Sequence, residues 1–386
     1  MQPPLPANVF RVEELPVQTA PAAPGFGTSW RPLPGLTVLS GAIETLEPGH
    51  AICPLHYHLL EEELIVVLEG EVTVRELPPD AGPEMSYREF AVRAGEAVVW
   101  PAGTRLPHQT RNTGEHTARY LVISDKWPQE VCVYPDSGKV AFGGVGVGIY
   151  RPRGAPPRPT DELLAEAAAV AEARAVVSLA DADRPGHVQG PDRVAEGALG
   201  PNGGFGRPLS RAAGARRIFV NADRLPPGAF TSSLHAHLAD EELVLVLEGN
   251  PTLRQRRGRR QGRNPVFDGP EECFVLAPGD GVRWTPGDLV AHQLLNETTA
   301  EVRLLVIGTD NRHDLVLYPE RGEVLVGQLM PWEAEAPAPL PGPLGVPSLR
   351  GGDGSPGPLH VGAFEATDYF AGEVAPTART RRDRPG

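Results

Sequence analysis

Two stretches of nearly the same sequence decide the fold: "LHYHLLEEELIVVLEG", Leu55 to Gly70, and "LHAHLADEELVLVLEG", Leu234 to Gly249. Each places two histidines two residues apart, then a cluster of acidic residues, then an aliphatic run that ends at glycine. The aliphatic run is apolar at consecutive positions, which is typical of a strand buried on both faces. Each stretch therefore predicts ionisable side chains at the mouth of a buried β-strand.

The two stretches belong to a longer internal repeat. An offset of 179 residues carries Pro48-Gly49 onto Pro227-Gly228 and Gly70 onto Gly249. After an insertion of five residues the offset becomes 184, and it carries over four further residues: Gly95 to Gly279, Trp100 to Trp284, His108 to His292 and Asn112 to Asn296. Repetition in register over this length indicates a tandem duplication.

Within each copy the apolar segments are short, rich in β-branched residues and bounded by glycine, proline or asparagine, which predicts strands. With 44 glycines and 43 prolines, the composition favours many turns over long helices. We predict an all-β chain with an N-terminal domain (1–150), a helical linker (151–186, with the helix at Pro159 to Ser178), a C-terminal domain (187–330) and a Pro/Gly-rich tail (331–386), partly extended or docked.

The polar residues of the repeat have the chemistry of metal ligands. Residues i and i+2 of a strand point to the same face, so His56 and His58 present two imidazoles to one cavity. Glu63 begins the next strand, and His108 comes from a later one. Three neutral imidazoles and a carboxylate suit a divalent first-row transition metal.

These spacings resemble the two motifs of the cupin superfamily. The first copy reads Gly49-x6-His56-x-His58-x4-Glu63-x6-Gly70, followed by Gly95-x5-Pro101-x-Gly103-x4-His108-x3-Asn112, with one extra residue before the first histidine and two before the last. In the second copy the Pro-x-Gly turn is replaced by Thr285-Pro286-Gly287. The resemblance covers about residues 25–150 and 204–330, so the chain looks like a bicupin of two tandem jelly-roll β-barrels.

The resemblance implies one metal site in each copy, formed by His56, His58, Glu63 and His108 and by His235, His237, Glu242 and His292. Glu62 and Glu241 are the alternative carboxylates, although each is one residue too far from its glycine. Asn112 and Asn296 are predicted either to cap a turn or to brace the last ligand from behind. Trp100 and Trp284 are predicted to fill the core, and Tyr134 and Tyr318 to be structural.

The remaining features favour a protein whose partner is a small molecule. A net charge of −13 argues against nucleic acid and anionic membranes as partners. Six arginines lie between Arg254 and Arg263, and they are interpreted as a solvated hairpin tip. The three cysteines share no short spacing, and Cys53 near the first histidine pair is interpreted as an inert thiol. No signal peptide is recognised at the N-terminus, so a cytoplasmic location is expected, with a homo-oligomer as an option.

The leading functional hypothesis is a metal-dependent oxidoreductase, similar to the quercetinase-like dioxygenases, that acts on an enolic or phenolic small molecule. Fe(II) is the preferred ion, with Mn(II), Ni(II) or Zn(II) as alternatives and up to two ions per chain. Glu63 or Glu242 would double as the catalytic base. The alternatives are a metal-dependent isomerase, epimerase or lyase on a sugar or keto acid, and a non-catalytic binder. The first site is expected to be the reactive one.

Overall fold

The structure is a computed structural model that describes residues 5–19, 25–79, 85–136, 139–142, 148–150, 174–199, 202–262, 264–311, 313–326, 348–350 and 356–363. Strands dominate both copies. The strands from the N-terminus to the end of the linker region are β1 (Val9–Arg11), β2 (Gln18–Thr19), β3 (Ser29–Pro32), β4 (Leu39–Leu46), β5 (Tyr57–His58), β6 (Glu63–Glu69), β7 (Glu71–Glu76), β8 (Tyr87–Arg93), β9 (Ala97–Trp100), β10 (His108–Arg111), β11 (Ala118–Asp125), β12 (Val131–Tyr134), β13 (Lys139–Phe142), β14 (Gly148–Tyr150), β15 (Val176–Ser178), β16 (Val188–Gln189) and β17 (Gly197–Ala198).

The second copy repeats this pattern. Its elements are β18 (Phe205–Pro208), the short helix α1 (Leu209–Ala212), β19 (Ile218–Leu225), β20 (Ala236–His237), β21 (Glu242–Glu248), β22 (Thr252–Arg257), β23 (Arg259–Gln261), β24 (Asn264–Val266), β25 (Glu271–Val275), β26 (Asp280–Trp284), β27 (Val290–Leu295), β28 (Val302–Thr309), β29 (Leu315–Tyr318) and β30 (Glu323–Val326), followed by β31 (Ser348–Arg350) and β32 (Pro356–Ala363). Short 3-10 turns lie at Val12–Glu14 and Asp181–Asp183.

Each copy is a sandwich of sheets whose strands pair antiparallel, except for β15 beside β8. The large sheet of the first copy has the order β16-β9-β6-β11-β4-β3-β2, and the large sheet of the second has the order β1-β26-β21-β28-β19-β18-β17. Shorter sheets, β10-β7-β8-β15 in the first copy and β25-β22-β27 in the second, face them. The prediction of an all-β chain with two tandem jelly rolls is confirmed.

The first strand of each copy crosses to the other copy. β1 pairs with β26 of the second copy, and β16 pairs with β9 of the first. The crossing segments are themselves equivalent, because the offset of 179 carries Asn8 onto His187. The predicted division at 150 and 186 therefore does not follow the sheets, because an exchanged strand completes the neighbouring sheet edge and removes it from solvent.

A continuous apolar core joins the two copies. It contains Leu39 and Ile43 from the first copy and Ile218, Leu243 and Ile307 from the second, all at most 2% exposed. Burying side chains of this size contributes about 2 kcal/mol each. The two copies are therefore held together by a shared hydrophobic interior, in addition to the exchanged strands.

Two buried glutamates close this interface on either side. The Glu62 carboxylate accepts hydrogen bonds from the backbone N–H groups of 216, 217 and 218. The Glu241 carboxylate accepts them from the backbone N–H groups of 37, 38 and 39. Because these are the alternative metal carboxylates, that alternative is wrong: both side chains point into the interface between the copies.

The predicted linker helix, Pro159 to Ser178, is not borne out where it can be seen. Residues 159–173 lie outside the described residues, and Val176–Ser178 form β15, which runs parallel to Tyr87–Glu89 of β8. Its β-branched valines suit a strand better than a helix end. From the tail, Pro356–Ala363 form β32, which pairs with β30 and with β31; the rest of 331–386 lies outside the described residues except for 348–350.

The arginine-rich segment forms a hairpin of β23 and β24, and acidic partners neutralise much of it. The guanidinium groups of Arg254 and Arg256 contact Glu271 at 2.6 and 2.9 Å, and Arg259 contacts Asp268 at 2.6 Å. Cys53, Cys132 and Cys273 are free thiols. Among the described residues, the longest helices fall short of the length and apolarity needed to cross a bilayer.

Candidate metal centres

The first predicted ligand set converges at one end of the first sandwich. His56 and His108 form a β-bridge, His58 ends β5, and Glu63 begins β6. The nearest carboxylate oxygens of Glu63 lie 3.9 Å from Nε2 of His56, 2.8 Å from Nε2 of His58 and 3.7 Å from Nε2 of His108. The structure thus brings all four residues together around one point.

The second ligand set has the same arrangement and is slightly tighter. Oε2 of Glu242 lies 3.7 Å from Nε2 of His235, 3.0 Å from Nε2 of His237 and 3.3 Å from Nε2 of His292. His235 and His292 are again joined by a β-bridge. In each set, one donor atom per residue lies within 4.8 Å of all the others.

The outer nitrogen of the first and of the last histidine in each set is bonded to a backbone carbonyl. Nδ1 of His56 donates to the Pro54 carbonyl and Nδ1 of His108 to the Leu106 carbonyl, both at 3.0 Å. Nδ1 of His235 and of His292 donate to carbonyls in the same way. A carbonyl only accepts, so the proton sits on Nδ1 and leaves Nε2 free to bind a cation.

Two acidic residues that the sequence reasoning missed orient the middle histidine. Oδ2 of Asp314 lies 2.6 Å from Nδ1 of His237, and Oε1 of Glu130 lies 3.3 Å from Nδ1 of His58. The other oxygen of Asp314 accepts the backbone N–H groups of Leu238 and Ala239. The signal was available, because the offset of 184 carries Glu130 onto Asp314 four residues before the Tyr-Pro pair in each copy.

A tryptophan ring supports the last histidine of each set. Trp100 stacks on His108 with ring centroids 4.0 Å apart, and Trp284 stacks on His292 at 3.6 Å. The indole N–H of Trp100 donates to Glu76 and that of Trp284 to Gln255. Both tryptophans are buried, so they fill the core as predicted and also fix the ligand ring. Tyr134 and Tyr318 lie about 6 Å from the rings of His56 and His235.

Asn112 and Asn296 hold a turn. The Asn112 amide donates to the carbonyls of Leu46 and His116 and accepts the N–H of Gly114. Asn296 makes the matching bonds to Leu225 and Ala300. Of the two predicted roles, the hydrogen bonds found are those of the turn cap; the role behind the last ligand stays a prediction.

Two members of the second set have the protonation states of metal ligands. Burial alone would raise the pKa of Glu242, but the surrounding histidines outweigh it and hold that pKa well below its usual range. Burial, together with the charge of His235, lowers the pKa of His292 to about 4. At neutral pH, Glu242 is therefore an anion and His292 a neutral donor, which are the forms that bind a metal ion.

The donor set fits a divalent metal ion. Ligand atoms at about 2.1 Å from one ion lie at most about 4.2 Å apart, and the spacing within each set is of this order. Nε2 of His108 is buried without a hydrogen-bond partner among the described residues, which an ion at this point would satisfy. A divalent metal site in each copy is thus consistent with the chemistry of the residues present.

A cavity of about 350 Å³ opens onto the second set. His235, His237 and Glu242 line it, together with Asp223 of β19. Asp240, Asp310 and Asp314 add further carboxyl groups. A volume of this size accommodates a small organic molecule next to the ligand residues.

Comparison with known proteins agrees with the resemblance found in the sequence. Residues 42–124 match the cupin domain family (Cupin_2). This segment holds the whole first ligand set, and the second copy repeats its strands and its ligand residues. The resemblance to a cupin domain is thus confirmed for the first copy. No curated protein matches the chain.

Several solved structures are similar in overall arrangement. Lactobacillus farciminis oxalate decarboxylase, in a formate complex, is 15% identical, with a TM-score of 0.47 over 80% of this chain and 87% of that one. Bacillus subtilis oxalate decarboxylase, in a study of its Mn(II) centres, is 16% identical, with a TM-score of 0.48 over 81% and 80% of the two chains. Similarity at this level carries no argument about function, so the dioxygenase hypothesis and the preference for Fe(II) stay predictions.

Proposed function

We propose that this chain is a metal-dependent enzyme and that its second centre acts as an isomerase, epimerase or lyase on a small hydroxylated carbonyl compound of the sugar class. The observation that carries the proposal is the cavity of about 350 Å³ that opens onto His235, His237 and Glu242. The alternative reaction class weighed from the sequence thus takes the place of the dioxygenase as the leading hypothesis. It also moves the reaction from the first site to the second.

The charge of the cavity supports a neutral substrate. Glu242, Asp223, Asp240, Asp310 and Asp314 line it, together with a single arginine, Arg211, among the described residues. The Arg211 guanidinium lies 3.6 Å from Asp310. Burial raises the pKa of Asp223 and of Asp240 to about 7, so these two are not full negative charges at neutral pH. With one arginine among five carboxyl groups, the lining still offers little that attracts an anion, which favours a neutral molecule. Carboxylate and amide oxygens accept hydrogen bonds from substrate hydroxyl groups.

The residues of the second centre would have separate roles: four would hold the metal ion, and neighbouring groups would orient the histidine rings. A divalent ion held by His235, His237, Glu242 and His292 supplies Lewis acidity that polarises a substrate carbonyl. Asp314 and the carbonyl of Ser233 fix the rings of His237 and His235. Glu242 is engaged by all three histidines, which makes it a ligand first; its predicted role as a catalytic base, like that of Glu63, stays a prediction.

The identity of the metal ion depends on the donor atoms of its ligands. Imidazole and carboxylate ligands suit Mn(II), Fe(II), Ni(II) or Zn(II), and the proposal requires only that the ion is divalent. Metal analysis of the purified protein identifies it. An expected result is bound metal at both centres, because both have four donors of the same type.

The experiment that tests the function is proton exchange without oxygen. The metal-loaded protein is incubated under nitrogen in deuterated water with a panel of neutral aldoses and ketoses, and the products are followed by NMR. Deuterium at the carbon next to the carbonyl, or a new isomer, supports the proposal. Turnover that requires oxygen and consumes it would instead support the dioxygenase hypothesis, and binding without turnover would support the non-catalytic binder.

A further inference from the structure

One acidic residue of the second cavity has no part in the ligand set. Asp223 lies on β19, whose alternate residues Phe219, Asn221 and Asp223 all line the cavity of the second centre. Alternation along a strand sends these three side chains to one face. The neighbours on the opposite face, Ile218 and Val220, pack in the core between the copies. Asp223 therefore points towards the space that a substrate would occupy.

The carboxyl group of Asp223 is buried and incompletely bonded. The residue is 6% exposed, and its Oδ1 atom has no hydrogen-bond partner among the described residues. A buried polar atom without a partner is costly, so such atoms call for a ligand or another explanation. The position next to an open cavity supplies that explanation, because a hydroxyl group bound there would complete the bonding.

The backbone opposite Asp223 is shaped to leave this oxygen free. Gly206 of β18 pairs directly with Asp223. A Cβ atom at Gly206 would lie 2.6 Å from Oδ1 of Asp223, closer than atoms in contact allow. Only glycine at this position therefore leaves the carboxyl group in its observed place.

The first copy treats the equivalent acid differently. Glu44 occupies the place of Asp223 at the offset of 179, but the Thr28 hydroxyl donates to its Oε2 atom at 2.8 Å. Trp30, in place of a glycine, pairs opposite Glu44. The contrast separates a bonded structural carboxyl group in the first copy from an available one in the second.

We infer that Asp223 is a catalytic acid–base residue of the second centre that contacts the substrate directly, an inference that rests on the proposed function. As a carboxylate it takes the proton from the carbon next to the substrate carbonyl. The C–H bond breaks, and its electron pair forms the enediolate. The resulting carboxylic acid then returns the proton to the former carbonyl carbon, while the hydroxyl proton of the first carbon passes to the former carbonyl oxygen. Both transfers together complete an aldose–ketose isomerisation with no external oxidant or reductant.

The acidity of the group fits this task. Burial raises the pKa of Asp223 to about 7, and the charge of Glu242 adds to the effect. A group that titrates near neutral pH both accepts and donates protons efficiently. Glu44, the equivalent residue of the first copy, is also buried, so burial alone does not distinguish the two. They differ because the Thr28 hydroxyl donates to Glu44, whereas Oδ1 of Asp223 has no partner among the described residues.

The test compares Asp223→Asn with Glu44→Gln, two isosteric changes at equivalent positions. With the sugar panel in deuterated water, Asp223→Asn should lower proton exchange at least about 100-fold, with metal content unchanged. Glu44→Gln should stay within about threefold of the unmodified protein, since acid–base loss is not expected there. Exchange by Asp223→Asn within about threefold of the unmodified protein, at full metal content, would overturn the inference.

A second measurement separates this inference from the proposed function. If the unmodified protein exchanges no proton with any sugar, the proposed function fails, and titration calorimetry with the unreactive polyol xylitol then decides whether Asp223 contacts hydroxyl groups. Affinity at least about tenfold weaker in Asp223→Asn than in Glu44→Gln supports that contact. Equal affinity in the two variants, or no binding to the unmodified protein, overturns it.

Discussion

The two metal centres have the same four ligand types but different surroundings. In the first copy Glu130 lies 3.3 Å from the middle histidine, and Cys53 lies 3.3 Å from Nδ1 of His56. In the second, Asp314 lies 2.6 Å from the middle histidine, and the Ser232 hydroxyl lies 2.9 Å from Nδ1 of His235. The second centre thus has the shorter, more polar supporting contacts.

The difference extends to the strands that face each centre. In the first copy Trp30 pairs opposite Glu44, whereas in the second copy Gly206 pairs opposite Asp223. Removing a large side chain from this position leaves room beside the acid, and the cavity of the second centre includes that acid. The comparison shows that a duplicated ligand set does not give two equivalent centres, because the groups beside the ligands come from residues outside the motif.

The largest expected effect comes from removing one ligand from each centre. His235→Ala should lose one bound ion per chain and abolish sugar turnover, because three donors hold a divalent ion much less tightly than four. His56→Ala should lose an ion as well but keep turnover. Elemental analysis and the deuterium exchange assay measure both quantities.

The exposed His313→Ala variant is the control and should behave like the unmodified protein. Loss of turnover in His56→Ala with turnover retained in His235→Ala would reverse the comparison and return the reaction to the first site.

A second prediction concerns the symmetry of the interface. Glu62→Gln and Glu241→Gln each replace a carboxylate that accepts three backbone N–H groups with an amide that offers one acceptor oxygen. Each variant should lose about 3 kcal/mol of unfolding free energy, since hydrogen bonds to charged groups contribute about 1.5–3 kcal/mol each. Guanidinium unfolding followed by tryptophan fluorescence measures the loss. A loss below about 0.5 kcal/mol in one variant would show that the two sides of the interface are not equivalent.

Much of the fold and the ligand sets could be predicted because they depend on local pattern. The repeat of His56, His58 and Glu63 at His235, His237 and Glu242 is visible in the letters alone, and strand alternation places two histidines on one face. The exchange of β1 and β16 is not visible in this way. The pairing of each of these two strands depends on which sheet edge lies near it, and that is a property of the assembled interface.

The carboxylates show the same limit more sharply. Glu62 and Glu63 are neighbours with the same chemistry, and only the strand register sends Glu63 to the histidines and Glu62 to the other copy. The match of Asp314 to Glu130 is visible in the repeat, but its contact with His237 depends on the pairing of β20 with β29, which are far apart in sequence. The free oxygen of Asp223 depends on the glycine opposite it, so it requires the pairing register of β18.

A third prediction tests whether the shorter supporting contact matters. Asp314→Asn should weaken Mn(II) binding at the second centre by about 10–100-fold, the usual effect of losing a carboxylate behind a metal-bound histidine. Glu130→Gln should weaken the first centre less, because its contact with His58 is longer. Competition with a fluorescent chelator measures both affinities, and circular dichroism confirms that each variant is folded. A larger loss for Glu130→Gln would contradict the ranking of the two centres.

The smallest expected effect is a pH dependence of stability set by the bonded acid of the first copy. Burial raises the pKa of Glu44 to about 7, above the value of about 4.3 in an unfolded chain. The folded protein therefore binds this proton more tightly. The resulting stabilisation is complete below about pH 4 and is lost as the pH rises through about 7.

Glutamine cannot ionise, so Glu44→Gln should gain stability relative to the unmodified metal-free protein between pH 5 and pH 8, by about 2 kcal/mol. Urea unfolding at the two pH values measures the change. Asp223→Asn should show the same direction, because burial also raises the pKa of Asp223 to about 7. A pH-independent difference for Glu44→Gln would mean that the Thr28 hydroxyl and nearby groups keep the carboxyl group ionised, and the two acids would then differ in charge as well as in access.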